Sequence, residues 1–490
     1  IAGLAAGCYA RMNGYDVEIH EAHNLPGGMC TSWRRGDYTI DGCIHWLVGS
    51  RPGSSYYRIW EELGAVQGRT MVDHDVLVSV VGRDGRTLHL YTDVDRLEQH
   101  LQELSPQDAA VSKDLCGVKR RLSSFSFPPG KAPELMNWWD GLGIMARIRR
   151  HMGDLKAIGG LTLGELAARF RDPFLRAGLA NAFFDETMPA FGLIMTLGCM
   201  SKREAGYPVG GSLEFARAIE QRYLGLGGKV IYRSRVAKVL ERDGRAVGVR
   251  LAGGDEVAAD YCISASDMRA TLHSLLDGTH FDPVHAELLE TGKVYPPCVL
   301  VSFGVNMDVS EDLSRLWTAY ELDEPIEVAG RSQSHFGIKD YCYDPTLAPR
   351  GKSVVGSYFV TDWSYWERLQ GDPAAYRAEK DRIAAICRAQ IERRYPGFSA
   401  KIEATNVATP LTFARYTGDW QGTFMTWRLS GEFQRKHRFI PKTVPGLSGF
   451  YLASMWTNPP GGIPGAAKAG RDVVQLLCRE DRQRFVTSTP

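Results

Sequence analysis

The sequence contains no CxxC pair, because its ten cysteines are scattered singly between Cys8 and Cys478. This spacing supports neither a zinc site nor a disulfide scaffold, so we predict no metal and a reducing, cytoplasmic compartment. The formal net charge is only +1, which gives no reason to expect nucleic acid as a partner. The longest charge-free apolar run, 188–200, is shorter than the roughly 17–25 residues of a membrane-spanning helix, so we predict no transmembrane span and no signal peptide.

The composition is that of an ordinary globular protein, with 44% hydrophobic and 23% charged residues in a chain of 490. Such a chain is long enough to bury a sizeable core. At about 150 residues per domain, its length predicts two or three lobes.

Residues 1–21 have the pattern of a helix followed by a strand. Small residues dominate 2–7, which lets a helix lie close against a sheet, and Asn13-Gly14 is a common helix end. Apolar and polar residues then alternate over 17–20, as in a short strand, and Glu21 follows.

This pattern is the second half of a dinucleotide-binding unit, in which a strand leads into G-x-G-x-x-G and an acidic residue later holds ribose hydroxyls. Gly3 takes the place of the third glycine and Glu21 that of the acid. The first strand and the first two glycines are predicted to precede Ile1, so the N-terminal strand is predicted to be truncated. Taken alone, the segment also fits an ordinary helix of small residues.

The next segment favours the nucleotide site. Gly27-Gly28 follows the acid, and paired glycines let backbone N–H groups approach a phosphate. The segment 4–49, with GGMCTSW and GDYTIDGCIHWLVGS, resembles the FAD-binding opening of phytoene desaturases, carotenoid isomerases and retinol saturases, above all their bacterial desaturase-like branch. No basic cluster follows Glu21, which favours a ribose 2′-OH over a 2′-phosphate as its partner.

The resemblance extends over most of the chain and implies an α/β fold. We predict a Rossmann-like FAD-binding domain with an inserted α+β substrate-binding lobe. The FAD-binding domain is predicted to be discontinuous, over 1–75, 205–290 and 431–490, and the lobe to comprise 76–204 and 291–430.

The resemblance also implies which residues meet FAD, with the backbone of Val236 at the adenine. A loop at 458–464 and a helix starting at Gly465 are expected to face the flavin, where a helix N-terminus suits negative charge. The family often has a glycine and then a polar or acidic residue where this chain has Ser454-Met455, so Met455 is not expected to be a polar ligand. The implied FAD-binding residues are Gly3, Glu21, Ala22, Gly27, Gly28, Met29, Asp41, Gly42, Val236, Ser264, Ser454, Met455, Gly462, Ile463 and Pro464.

His45 is the candidate catalytic residue, because the resemblance places it near the flavin. The alternative is a hydrogen-bonded core histidine, since flavin chemistry on a hydrocarbon requires no strong base. Asp41 is expected to tie down a loop rather than to move a proton. Tyr207 and Pro208 are predicted to line the substrate channel, or else to form a packing turn.

The segment 133–152 carries two tryptophans beside a basic cluster, a pattern that suits a helix lying in a membrane surface. We predict a peripheral contact with the inner face of a membrane through it. The alternative is a helix packed on its own lobe.

These features predict an FAD-dependent oxidoreductase that desaturates, saturates or isomerises a long apolar, isoprenoid-like substrate. The alternatives are a flavin amine oxidase and a non-catalytic FAD- or lipid-binding protein. No second glycine-rich nucleotide motif follows, because 225–228 ends a helix rather than opening one, so no nicotinamide site is predicted. The exact substrate, the direction of the reaction and the electron acceptor stay open.

Overall fold

The structure is a computed structural model that describes residues 1–123, 130–182, 185–311, 313, 315–430, 433, 436–437 and 439–490. The strands are β1 (Glu18–His20), β2 (Ser32–Arg35), β3 (Tyr38–Asp41), β4 (Leu47–Val48), β5 (Met71–Val72), β6 (Val76–Val81), β7 (Thr87–Tyr91), β8 (Ala205–Pro208), β9 (Lys229–Ile231), β10 (Val236–Arg242), β11 (Arg245–Leu251), β12 (Glu256–Ala258), β13 (Cys262–Ser264), β14 (Cys298–Val305), β15 (Arg315–Val328), β16 (Arg331–Asp340), β17 (Ser353–Val360), β18 (Ile402–Ala408) and β19 (Phe450–Leu452).

The α-helices are α1 (Ala2–Met12), α2 (Tyr57–Glu62), α3 (Val94–Leu104), α4 (Ala109–Leu122), α5 (Trp138–Arg149), α6 (Met152–Ile158), α7 (Leu163–Ala167), α8 (Pro173–Ala180), α9 (Ala190–Ser201), α10 (Gly211–Gly225), α11 (Met268–Ala270), α12 (Pro283–Thr291), α13 (Trp363–Glu367), α14 (Pro373–Glu392), α15 (Pro410–Thr417) and α16 (Gly462–Glu480). Helices and mixed sheets together confirm the predicted α/β class.

The start of the chain has the predicted helix-then-strand form. Strand β1 pairs in parallel with β9, and β13 pairs in parallel with β19. Helix α1 packs against α10 and α16. A Cβ at Gly470 would lie 2.6 Å from the backbone nitrogen of Ala6, so only a glycine allows α16 to approach α1 this closely. This close packing is between two helices, and the predicted close contact of α1 with a sheet stays a prediction.

A seven-stranded sheet is the largest in the part of the chain that the structure describes, with the strand order β18-β14-β17-β16-β15-β6-β7. All its strands lie within 76–204 and 291–430. Strands β6 and β7 form an antiparallel hairpin over 76–91, and β15 runs parallel to β6. The division of the chain into domains stays a prediction, although this sheet is built wholly from the segments assigned to the lobe.

The predicted start of the last helix is wrong by three residues, because α16 begins at Gly462 rather than at Gly465. Proline at position 464 does not prevent this, since the first turn of a helix does not need the N–H that proline lacks. None of the ten cysteines forms a disulfide, and all ten lie in described segments. No helix among the described residues is both long and apolar enough to cross a membrane.

Candidate functional site

Two helices begin without a side-chain cap in the region predicted to hold FAD. Helix α1 begins at Ala2, and α16 begins after Gly461, which has a φ of +87°. The first N–H groups of a helix have no partner within the helix, and the helix dipole makes that end positive. Both ends can therefore donate to an anionic group such as a pyrophosphate.

The paired glycines lie close to the start of α1. The N-terminal nitrogen of Ile1 is 3.5 Å from the carbonyl oxygen of Gly27. Gly27 and Gly28 have φ values of +103° and +61°. A Cβ at Gly27 would lie 2.8 Å from the Cβ of Ala216, whereas a Cβ at Gly28 would face open space. Such a loop leaves room for a phosphate beside the backbone.

Glu21 lies just past the end of β1, and its backbone is fixed on both sides. Its N–H donates to Ile231 at 2.9 Å, and its carbonyl oxygen accepts from Ser234 at 2.9 Å. The Oε1 atom accepts from the backbone N–H of His23 at 2.8 Å. The carboxylate is thus held in one orientation, and Val236 starts β10 two residues after Ser234.

The remaining predicted FAD contacts lie on several elements. Ala22 follows Glu21, Met29 follows the glycine pair, and Gly42 follows β3. Ser264 ends β13, and its hydroxyl bonds to Ser266 and Thr271. Ser454 precedes a short 3-10 turn. Met455 packs against a hydrophobic cluster, as suits a residue that is not a polar ligand. Ile463 and Pro464 lie in the first turn of α16. The roles of these residues as FAD contacts stay predictions.

Asp41 is the central acceptor of the neighbouring loop. Its side chain is 1% exposed and accepts from the hydroxyl of Tyr207 at 2.8 Å and from that of Ser212. Ser212 in turn accepts from the backbone N–H of Ile44 at 2.8 Å. Burial raises the pKa of Asp41, although the two hydroxyl donors oppose that shift. These contacts tie the loop after β3 to β8 and α10.

Tyr207 is fully buried, and its ring lies 5.0 Å from that of Tyr343, centroid to centroid. Pro208 ends the same strand, β8. Their predicted place along a substrate channel stays a prediction.

His45 contacts a buried lysine that the sequence analysis did not single out. The Nδ1 atom of His45 lies 2.7 Å from the Nζ atom of Lys339, which is 1% exposed near the end of β16. Burial, and then the charge of Lys339, hold the pKa of His45 well below its usual value. Burial lowers the pKa of Lys339 to about 7, while Asp41 and Asp340 oppose that shift.

Aromatic rings surround the imidazole of His45. Its centroid lies 6.1 Å from that of Trp46, 6.2 Å from that of Trp317 and 4.9 Å from that of Tyr358. We call these three side chains the His45 ring cluster. The hydroxyl of Tyr358 is 2.7 Å from that of Tyr341, whose ring centroid lies 4.5 Å from the Nζ atom of Lys339.

The residues present fit FAD. Two uncapped helix starts and a glycine loop suit a pyrophosphate, and an oriented carboxylate suits a ribose. When bound, the flavin supplies two-electron redox chemistry. The protein's own side chains hold the loops and provide a largely apolar, aromatic surround.

Comparison with known proteins identifies relatives that align over most of the chain. The chain is 29% identical over 451 residues to the chloroplastic prolycopene isomerase of Arabidopsis thaliana, covering 86% of this chain and 72% of that protein. It is 23% identical over 504 residues to the lycopene-forming phytoene desaturase of a Paracoccus species, covering 97% and 95%. These relatives confirm the resemblance inferred from residues 4–49.

Solved structures show the same fold. An oxidoreductase from Methanosarcina mazei superposes with a TM-score of 0.62 at 16% identity, covering 97% of this chain and 98% of that one. Putrescine oxidase bound to putrescine superposes with a TM-score of 0.60 at 12% identity, covering 98% and 97%. Because the model of one family matches residues 1–478, the chain belongs to the flavin-containing amine oxidoreductases and is an FAD-dependent oxidoreductase.

Proposed function

We propose that this protein desaturates, saturates or isomerises a long apolar substrate of the isoprenoid or carotenoid type. The relatives that align over most of the chain are prolycopene isomerases and phytoene desaturases. Their names support a polyene-like substrate and leave the direction of the reaction open, since isomerases and desaturases appear side by side.

The observation that carries the proposal is the His45 ring cluster. Ring faces and edges offer dispersion contacts to a conjugated chain and few hydrogen bonds to a polar one. Trp46 comes shortly after the loop that Asp41 anchors, which holds predicted flavin contacts, whereas Trp317 and Tyr358 lie on β15 and β17.

The nearby cation argues against an amine substrate. An aromatic site that accepts an ammonium ion uses the faces of its rings. Here the Nζ atom of Lys339 already lies 4.5 Å from the centroid of Tyr341. At and below about pH 7, where Lys339 is charged, a protonated amine entering beside it would meet a like charge in a poorly solvated place, which is unfavourable.

Anaerobic mixing tests this proposal. The FAD-loaded protein is mixed with a set of cis and trans C40 polyenes and, separately, with putrescine and other primary amines. Flavin absorbance reports net redox, and chromatography of the extracted polyene reports isomerisation with either oxidised or pre-reduced flavin. We expect a polyene to react and the amines not to. Bleaching by amines alone would establish the amine oxidase alternative, and an unreactive flavin with every compound would favour the non-catalytic one.

A matched pair of variants ties the activity to the ring cluster. Trp317→Ala should slow polyene turnover roughly two- to tenfold, because one good aromatic contact is worth about 0.5–1.5 kcal/mol beyond its buried area. Trp363→Ala is the control, since Trp363 lies on α13 and bonds to Glu367. Equal rates in the two variants would contradict the assignment of the substrate to the cluster.

We also propose a peripheral membrane contact on the inner membrane face through 133–152. None of the residues of α5 is buried, and Trp138 and Trp139 are 64% and 65% exposed, with Leu142 and Met145 also exposed. Three arginines, at 147, 149 and 150, lie at the end of the helix. An apolar face with adjacent basic residues suits an anionic lipid surface, where an apolar substrate would be dissolved.

A further inference from the structure

Lys339 is a buried amine without a carboxylate partner. Among the residues that the structure describes, no carboxylate oxygen lies within 4.0 Å of its Nζ atom, although a buried ammonium is usually paired. Its contacts are the imidazole nitrogen of His45 at 2.7 Å and the ring of Tyr341. A buried lysine whose hydrogen bond is made to an imidazole can be charged or uncharged without moving away from that partner.

The charged groups around Lys339 do not neutralise it by contact. The carboxylate of Asp41 is engaged by Tyr207 and Ser212. That of Asp340 accepts from the backbone N–H of Cys342 at 3.3 Å.

The other titratable groups facing Lys339 stay neutral near pH 7. Burial, and then the charge of Lys339, lower the pKa of His74 to about 3. Burial also raises the pKa values of Tyr341, Tyr343 and Tyr358. The amine is therefore the group of this cluster that can change charge near neutrality.

We propose that Lys339 and His45 together hold one exchangeable proton in the flavin site, which is taken up when a substrate is oxidised and given up when the electrons leave. The inference rests on the proposed function and names the groups that handle its proton. Neither the family resemblance nor the sequence pattern assigned Lys339 a role.

The hydrogen bond has two forms that differ by one proton. In the charged form the ammonium donates to Nδ1, so the neutral imidazole carries its hydrogen on Nε2. In the uncharged form the amine donates one of its two remaining N–H bonds to Nδ1, so the imidazole keeps its tautomer and the lone pair of the amine is left to accept a proton. The low pKa of His45 keeps the imidazole neutral in both forms.

Oxidation of a –CH2–CH2– unit to –CH=CH– releases one hydride and one proton. Two C–H bonds break, and one pair of electrons leaves with the hydride for the flavin. The other pair forms the new π bond, and the proton goes to the lone pair of the uncharged Lys339. In the saturating direction, the ammonium returns that proton to carbon. An ammonium in the site also balances the negative charge that the flavin gains on reduction.

Proton uptake during photoreduction tests the inference without any substrate. The FAD-loaded protein is reduced by light in weak buffer containing a pH indicator, and protons are counted per two electrons at pH 6 and pH 8. At pH 8 the wild type should take up about one proton more than Lys339→Met, and at pH 6 the difference should vanish, because Lys339 is then already charged.

Lys339→Arg is the second variant, and it should also lose the extra proton because a guanidinium stays charged throughout. Lys352→Met, which removes a half-buried lysine paired with Glu403, should match the wild type. Equal uptake at pH 8 in the wild type and Lys339→Met, or an extra proton retained by Lys339→Arg, would overturn the inference.

Substrate-driven reduction gives the second measurement. With a reactive polyene, the rate of flavin reduction in the wild type should rise roughly tenfold between pH 6 and pH 8, and Lys339→Arg should lack that rise. A pH-independent wild-type rate would overturn the inference while leaving the proposed function intact. Failure of every polyene would overturn the proposed function, whereas the proton count during photoreduction would still decide the role of Lys339.

Discussion

Replacing Glu21 by alanine tests the nucleotide site most directly. The backbone of Glu21 is fixed by hydrogen bonds to Ile231 and Ser234, and Oε1 is oriented by the N–H of His23 at 2.8 Å. A carboxylate held in this way can accept from a ribose hydroxyl with little further loss of side-chain freedom.

The size of the effect follows from the kind of bond that is lost. A hydrogen bond to a charged acceptor is worth about 1.5–3 kcal/mol. Since about 1.4 kcal/mol corresponds to a factor of ten, the dissociation constant for FAD should rise roughly ten- to a hundredfold in Glu21→Ala. Glu21→Gln keeps the shape and one acceptor oxygen but loses the charge, so its dissociation constant should fall between those of the wild type and Glu21→Ala.

The assay is titration of the apoprotein with FAD, in which binding is monitored by the quenching of flavin fluorescence. Glu18→Ala is the matched control, because Glu18 lies on β1 itself and pairs with Lys229 and His20 at 2.9 Å each. Exposed pairs of this kind contribute only about 0–1 kcal/mol. A dissociation constant for Glu21→Ala within twofold of the wild type, or one matched by Glu18→Ala, would refute the assignment.

Four further outcomes are expected. The wild type should co-sediment with anionic liposomes in a salt-sensitive way, and Trp138→Ala with Trp139→Ala should abolish this; unchanged sedimentation of the double variant would contradict the membrane proposal. NADPH at micromolar concentration should not bleach the flavin within seconds in anaerobic stopped flow, because the sequence has one dinucleotide motif and we assign that motif to FAD. Asp41→Asn should lower the free energy of unfolding by about 1–3 kcal/mol, since an amide cannot accept from both Tyr207 and Ser212. The control Asp37→Asn, at an exposed position, should leave the free energy of unfolding unchanged. Equal melting temperatures of the two variants would contradict the anchoring role of Asp41. The pKa of Lys339 is about 7 in the folded protein and about 10.4 in the unfolded chain. Between these pH values the unfolded chain binds more protons, so the free energy of unfolding should rise with pH by at most about 5 kcal/mol. Lys339→Met should flatten this rise when the free energy is measured by denaturant titration at several pH values.

The local elements of the nucleotide unit could be predicted from the sequence because short-range rules determine them. Small residues and Asn13-Gly14 define α1, and alternation defines β1. The hairpin over 76–91 follows from two β-rich runs around a glycine turn. Each of these depends on neighbours within about a dozen residues, and the family resemblance then supplied the cofactor.

The start of α16 was misplaced because Pro-Pro-Gly-Gly has the composition of a loop. Gly461 and Gly462 both take positive φ values, which fits that interpretation. The helix nevertheless begins at Gly462, since Pro464 lies in the turn where its missing N–H costs nothing. Composition alone could not show whether the loop extends to Pro464 or whether the helix already begins at Gly462.

Lys339 could not be placed from the sequence because long-range strand register brings it to the site. It lies 294 positions from His45 along the chain, and it reaches the imidazole because β16 pairs with β17, with Lys339 opposite Gly356. One local signal was present, since Lys339 directly follows the buried Ile338 and comes two residues before the buried Tyr341. A lysine in such a run carries a desolvation cost that either a partner or a function must offset. The partner here is a neutral imidazole rather than a carboxylate, so the cost is only partly offset and appears as the lowered pKa. A lysine held this close to its point of titration is able to exchange a proton near neutral pH, whereas an ion-paired one would stay charged.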